Sequence, residues 1–260
     1  MKRFLFFDID GTLVSFTSHR IPESALQGLA LAKEKGANIY IATGRPYKLI
    51  DNIEEIKHLV DGYITANGAY CFSDNQVISC CPIPMEQVTS VIELSDKMGF
   101  ACMIVGVQDI MMYNNNPVAE HIFKDMLNVP ELGESTSLQT VLGQRILQLT
   151  PVITPMEEQV ILPLLSNVVS SRWCPEFIDI TAKGVDKAKG MKDMAAWYGI
   201  PLSRTVAFGD GGNDLPMIRE AGIGIAMGNA AQMIKTAADY VTSSVDDNGI
   251  YLALKNLELI

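Results

Sequence analysis

Short apolar runs of four to six residues alternate with segments of helical period at both ends of this chain, and that alternation points to a mostly parallel sheet wrapped by helices. Phe4 to Phe7 predicts the first strand. Between Glu23 and Lys35, Leu26, Leu29 and Ala30 recur at helical spacing before Gly36 supplies a stop, and Asn38 to Ala42 predicts a second buried strand. Pro46 predicts the opening of a further helix with Leu49, Ile53 and Ile56 on one face, followed by a strand from Tyr63 to Ala66. The same grammar returns towards the carboxyl end. A helix is expected from Lys187 to Tyr198 with Gly199 as its stop, then a strand from Thr205 to Phe208 and a short helix from Asp214. Ile223 to Met227 and Asp239 to Thr242 predict the last strands, separated by a helix around Ala231 to Ala237.

The middle breaks the alternation. Pro82-Ile83-Pro84 can continue neither a helix nor a central strand and reads as a linker, so a second module is expected to begin near Met85. Its order is helix (Glu86 to Met98), strands (Phe100 to Val107, Ile110 to Tyr113), helix (Val118 to Leu127), strand (Ile146 to Leu149), helix (Met156 to Leu165) and two strands (Val168 to Trp173, Glu176 to Ile180). That is an α+β order inserted into an α/β domain. The expected division is 1–81 and 183–260 for the outer domain and 82–182 for the insertion; Asn128 to Gln144 shows no clear period.

A chain of 260 residues with 48% hydrophobic content can bury a sizeable core. Twenty Lys and Arg against thirty Asp and Glu leave a net charge of −10, which repels nucleic acid and anionic lipid, so anion handling must be local. Five cysteines with no CxxC pair read as buried free thiols in a reducing cytoplasm. Met1-Lys2-Arg3 leads directly into an apolar strand with an acidic end, unlike a signal peptide, and no apolar run approaches the ~18 residues of a membrane span. The oligomeric state is left open, a monomer being the simplest expectation.

Polar residues follow several expected strands, at the sheet edge where open α/β sheets bind ligands. Asp8 and Asp10 come first, two residues apart in Asp8-Ile9-Asp10-Gly11-Thr12. Two carboxylates so close raise each other's proton affinity unless a cation intervenes, and a hard divalent cation with oxygen ligands such as Mg²⁺ would settle them. Asp-Gly sequences also supply ordinary turn carboxylates. The loop Gly209-Asp210-Gly211-Gly212-Asn213-Asp214 lets backbone approach a ligand, though Asn213 could equally cap the helix that follows. Thr43-Gly44-Arg45 offers a hydroxyl, N–H groups and a guanidinium, and the same residues would suit a plain glycine turn before Pro46. Lys187 could place an ammonium beside a phosphate, with Lys183 and Lys189 as rivals. The turn from Gly224 to Gly228 lies at the same edge.

Together, Asp8-Ile9-Asp10-Gly11-Thr12-Leu13, Thr43-Gly44-Arg45, Lys187 and Gly209 to Asp214 resemble the four ordered motifs of the haloacid-dehalogenase superfamily. Asn67-Gly68-Ala69 and the insertion resemble its Cof-type, class IIB-capped sugar-phosphate phosphatases; Ala188 stands where the family usually has glycine after the lysine. The resemblance implies a Rossmann-like core with an inserted cap that selects the substrate. It implies Asp8 as nucleophile and Asp10 as acid and base. Mg²⁺ would be held by Asp8, the Asp10 backbone carbonyl and Asp210, with Asp214 supporting its shell. Thr43, Gly44, Arg45, Lys187 and Asn213 would bind the phosphate or substrate. The implied partner is a small phosphate ester, foremost a hexose phosphate, with a non-sugar cofactor phosphate as the alternative.

Two other classes compete. A receiver-like phosphorylatable regulator also combines Mg²⁺-binding aspartates with a Thr and a Lys, but would not need Asp10 or the insertion. A dinucleotide-binding dehydrogenase would need a GxGxxG opening its first helix, which is absent. His19, His58 and His121 are scattered, and the thirteen methionines read as packing.

Overall fold

The structure, a computed structural model, describes residues 3–127, 129, 132, 133 and 136–260. Met1 and Lys2 of the expected amino-terminal reading lie outside them, as do Asn128, Pro130, Glu131, Glu134 and Ser135 of the stretch without a period.

In chain order the first part forms β1 (Phe4–Phe7), α1 (Glu23–Glu34), β2 (Asn38–Ala42), β3 (Gly62–Thr65), β4 (Tyr70–Ser73) and β5 (Gln76–Cys80). The middle forms α2 (Met85–Met98), β6 (Cys102–Gly106), β7 (Ile110–Tyr113), α3 (Pro117–Glu120), α4 (Leu138–Leu142), β8 (Ile146–Pro151), α5 (Pro155–Ile161), β9 (Val168–Cys174) and β10 (Phe177–Ala182). The last part forms α6 (Lys187–Trp197), β11 (Thr205–Gly209), α7 (Leu215–Glu220), β12 (Ile223–Ala226), α8 (Gln232–Ala237), β13 (Tyr240–Val241) and α9 (Gly249–Asn256). The chain divides into two compact units, one of residues 1–45, 50–79 and 186–260 and the other of residues 46–49 and 80–185.

The first unit carries an eight-stranded sheet in the order β13-β12-β11-β1-β2-β3-β4-β5, parallel from β13 to β3. Phe4 to Phe7 are buried on both faces of the sheet, which is why β1 is a continuous apolar run rather than an alternating one. One core joins Leu5, Phe7, Ile39, Ile41 and Phe208 to α1 and α9, and another joins Phe6, Tyr40 and Ile64 to Met191 and Met194 of α6. The second unit has a five-stranded antiparallel sheet, β7-β6-β8-β10-β9, whose Cys102, Ile104, Leu149, Ile178 and Ile180 pack with Val88 and Val91 of α2 and Ile161 of α5. No helix among the described residues is long and apolar enough to cross a membrane.

Two local helix expectations need correction. The helix expected from Pro46 is replaced by two 3₁₀ turns, Tyr47–Leu49 and Glu54–Leu59. Ile53 between them leaves the helical region at φ −128°, yet Ile53 and Ile56 still reach the core. The helix expected over Val118 to Leu127 is α-helical only as α3 and continues as a π-helix from His121 to Met126. The hairpin of β4 and β5 was not anticipated; Asp74 and Asn75 both take positive φ at its turn, the conformation a type I′ turn requires. Of the five thiols, all free, Cys80 and Cys81 are only half-buried.

Candidate active site

The order β11-β1-β2 puts β1 where successive crossovers leave in opposite directions, and the carboxyl ends of those strands open a crevice there. Asp8 stands at the end of β1, its N–H donating to the Phe208 carbonyl of β11 at 3.1 Å. After it the chain turns sharply: the Gly11 N–H donates to Val14 O and the Val14 N–H to Ile9 O, both at 2.8 Å, with Gly11 at φ +86°. A side chain on Gly11 would overlap Oδ2 of Asp210, so glycine is needed for the loop after β1 to lie against that carboxylate.

Lys187 is the first residue of α6, whose N-cap Asp186 accepts from the Lys189 N–H at 2.7 Å. Gly68, at φ +98°, lies so close to the Asp186 carbonyl that a side chain there would displace the helix start. The Lys187 side chain is fully buried, and its Nζ donates to Asp8 Oδ1 at 2.6 Å and Asp214 Oδ1 at 2.5 Å. Of its rivals, Lys189 pairs with Asp193 and Lys183 is exposed. Ala188, the departure from the motif, is buried and leaves the lysine in this position.

Asp214 is enclosed as well: its Oδ2 accepts from the Asp210 and Gly211 N–H groups at 3.0 and 2.9 Å. Asp210 Oδ1 accepts from the Thr12 hydroxyl at 2.7 Å. Ligand oxygens of Asp8, Asp210 and Asp214 all lie within 4.8 Å of one another. Burial, then the Asp214 charge, pushes the Asp8 carboxyl well above its ordinary range against the opposing pull of Lys187. Burial and Asp214 likewise raise Asp210 to about 7, although the Thr12 hydrogen bond works the other way. For Lys187 burial favours the neutral amine, but Asp214 and Asp8 more than reverse this and the ammonium is held. One ammonium among three carboxylates leaves a local excess of negative charge on oxygen donors, which fits a hard divalent cation. Both oxygens of Asp214 are already taken by N–H donors, so Asp214 suits a supporting part and Asp8 and Asp210 the direct one.

Asp10 belongs to a different set. Its carboxylate is gripped by the Arg45 guanidinium, Nε to Oδ2 at 2.7 Å and Nη2 to Oδ1 at 2.9 Å, with Asn52 Nδ2 3.5 Å from Oδ1. The Asp10 side chain is therefore outside the acidic trio, and the sequence expectation for a metal there concerned its backbone carbonyl. Arg45, expected at the phosphate, is turned onto Asp10 and lies 3.9 Å from Asp51. Thr43 is buried, with Oγ1 accepting from the Arg45 N–H at 3.0 Å. Next to it, a side chain on Gly44 would crowd Asn67 and Asn213, whose amides are joined by Asn213 Nδ2 to Asn67 Oδ1 at 3.0 Å. Thr43, Gly44, Asn67 and Asn213 thus form one polar corner.

Sequence reasoning missed two members of this arrangement. Thr12 received no part, although it sits in the first motif. Asn229, in the loop after β12, donates to the Gly11 carbonyl at 2.8 Å and accepts from the Val245 N–H at 3.0 Å, tying the first loop to the segment after β13. Its signal was the polar residue directly after the Gly224 to Gly228 turn.

The haloacid dehalogenase-like hydrolase family profile matches residues 5–254. A Bacillus subtilis (strain 168) protein named for a phosphatase, YkrA, is 32% identical over 263 residues, covering 100% of this chain and 99% of its own. The 5-amino-6-(5-phospho-D-ribitylamino)uracil phosphatase YitU of the same organism is 28% identical over 261 residues, covering 95% of this chain and 94% of its own. Among solved structures, the HAD subclass IIB sugar phosphatase BT4131 superposes with a TM-score of 0.93 at 44% identity, covering 99% of this chain and 100% of that one.

Proposed function

This chain belongs to the haloacid dehalogenase-like hydrolases and is a phosphatase of phosphorylated small molecules, and from that premise we propose that it hydrolyses sugar phosphates, hexose phosphates foremost, through a phosphoryl group carried on Asp8 with Mg²⁺ as its metal. The observation that carries this reading is the enclosed cluster of Asp8, Lys187, Asp210 and Asp214. It supplies a nucleophile together with fixed positive charge, and phosphoryl transfer depends chiefly on positioning and electrostatics.

Asp8, Asp210 and the Asp10 backbone carbonyl would hold Mg²⁺, with Asp214 supporting. When bound, the metal neutralises phosphate charge so that an anionic carboxylate can approach. The Asp8 carboxylate attacks phosphorus and the bond to the ester oxygen breaks. Asp10, once released by Arg45 and protonated from solvent, gives that proton to the departing alkoxide and takes one from the water that then attacks the acyl phosphate, releasing inorganic phosphate and restoring Asp8. Lys187, fixed at the start of α6, opposes the protonation of Asp8 and meets a phosphoryl oxygen. Thr43, the Gly44 N–H and Asn213 form the corner for the others. Arg45 holds the Asp10 carboxyl in orientation and reaches the substrate only by releasing it. Residues 82–182 act as the cap that selects the leaving group.

Sugar phosphates are favoured over a ribitylaminouracil phosphate by the higher identity to BT4131 than to YitU. A phosphate-release screen over hexose phosphates, nucleotides, pyridoxal phosphate, flavin mononucleotide and a ribitylaminouracil phosphate, with Mg²⁺ and with excess chelator, tests it. Hexose phosphates should lead, chelator should abolish release, and Asp8→Asn should give the background. Undiminished release in chelator overturns the metal, and turnover of only the heteroaromatic phosphates overturns the sugar.

A further inference from the structure

We propose that Phe16 determines specificity in this site, its exposed ring receiving the apolar C–H face of the sugar whose phosphate lies at Asp8; the proposal rests on the sugar-phosphate reading above. Phe16 is 56% exposed, a large apolar side chain left in solvent two residues past the turn that carries Asp8 and Asp10. Its ring stands at the site itself. A carbon built on Gly11 would fall 2.6 Å from Phe16 Cε2 and closer still to Asp210 Oδ2, so ring edge and carboxylate share one van der Waals neighbourhood.

The loop that presents the ring is tightly closed. Ser15 is buried, and its Oγ accepts from the Thr17 and Ser18 N–H groups at 3.0 and 3.2 Å. The Ser15 N–H donates to Arg20 O at 3.1 Å and the His19 N–H to Ser15 O at 2.9 Å, with His19 at φ 54°. On the other side Val14 forms a bridge with Asp10. A loop held in this way needs little ordering of its backbone on binding. The acidic and amide groups of the site read phosphate and metal, and none of them offers an apolar surface. An aromatic face with its negative quadrupole suits the electropositive C–H groups of a pyranose, as ligand sites combine apolar surface with a few placed polar groups.

Steady-state kinetics on a hexose 6-phosphate and on acetyl phosphate, which has no ring, separate this from a structural part. Phe16→Ala and Phe16→Leu should both raise KM for the hexose phosphate roughly three- to tenfold, the range of an aromatic contact. Acetyl phosphate turnover should stay unchanged, and Phe16→Trp should keep the hexose KM near wild type. The leucine variant keeps apolar bulk on the loop and removes only the aromatic face, so it serves if the alanine variant folds poorly. Equal losses on both donors would mean that the ring merely props Gly11 and Asp210, and an unchanged hexose KM would leave it no part; either overturns the proposal. A wild-type enzyme that turns over acetyl phosphate but no hexose phosphate fails at the earlier step, the sugar reading, and takes this proposal with it.

Discussion

The two sheets of this chain bury polar groups in opposite ways. In the parallel sheet the enclosed groups are charged and converge: Asp8, Asp214 and Lys187 meet within ion-pair distance, and with Asp210 the carboxylates outnumber the ammonium. In the antiparallel sheet the buried Gln148, Thr150 and Asp179 lie on neighbouring strands β8 and β10 and close on one another. Gln148 Nε2 and the Thr150 hydroxyl both donate to Asp179 Oδ1, at 2.9 and 2.8 Å. The second cluster finds donors within its own sheet, whereas the first gathers three carboxylates around one ammonium and raises the proton affinity of Asp8 and Asp210. Burial of polar atoms alone does not mark a site; uncompensated charge does.

The largest effect should come from breaking the charged cluster. Lys187→Met leaves Asp8 and Asp214 facing each other without their ammonium, and urea unfolding in chelator at pH 7.5 should show a loss of about 3–5 kcal/mol. Turnover should fall at least ~10²-fold, since the donor proposed for the transferring phosphoryl group is gone. An unchanged unfolding midpoint would make the surplus of charge a fiction.

A smaller effect should appear on titration. Asp210 holds its proton more tightly folded than unfolded, so in the metal-free protein its contribution to stability is complete below the ordinary carboxylate range and is lost as pH rises through about 7. Mg²⁺ needs both Asp8 and Asp210 ionised, and both carboxyls are raised, so affinity should climb by about tenfold or more per pH unit below about 7. Calorimetry between pH 5.5 and 8 checks this, and flat affinity across that span would contradict it.

The smallest effect belongs to the second sheet. Thr150→Val removes one donor from Asp179 and should cost about 1 kcal/mol in unfolding. Phosphoenzyme formation from acetyl phosphate should not change, and a loss there would remove the contrast between the sheets.

What could be read in advance follows the range of the contacts. β1 and the Asp8-Ile9-Asp10 turn are contiguous, so the apolar run and its acidic end identify them without tertiary information. Lys187 was legible as a motif, but its choice over Lys183 and Lys189 depends on Asp186 capping α6 and on Gly68 seating that cap. Thr12 meets Asp210 across 198 residues and Asn229 meets Gly11 across 218, and no local period carries such pairings. The Arg45 fork on Asp10 escaped for the same reason, because Thr43-Gly44-Arg45 reads equally as a phosphate loop. The missed hairpin differs: its Asp74-Asn75 turn was local and legible, and only the weak apolar pattern of Gln76–Cys80 hid it.

The central claim, that Asp8 carries the phosphoryl group while Asp10 moves the protons, is tested most directly by trapping. Asp10→Asn should leave Asp8 able to attack an aryl phosphate, whose leaving group needs little protonation, while water attack slows by about 10²–10⁴-fold. Rapid acid quench followed by fragment mass spectrometry should then find phosphate accumulated on Asp8. Label on any other residue, or wild-type turnover by Asp8→Asn, would contradict the account.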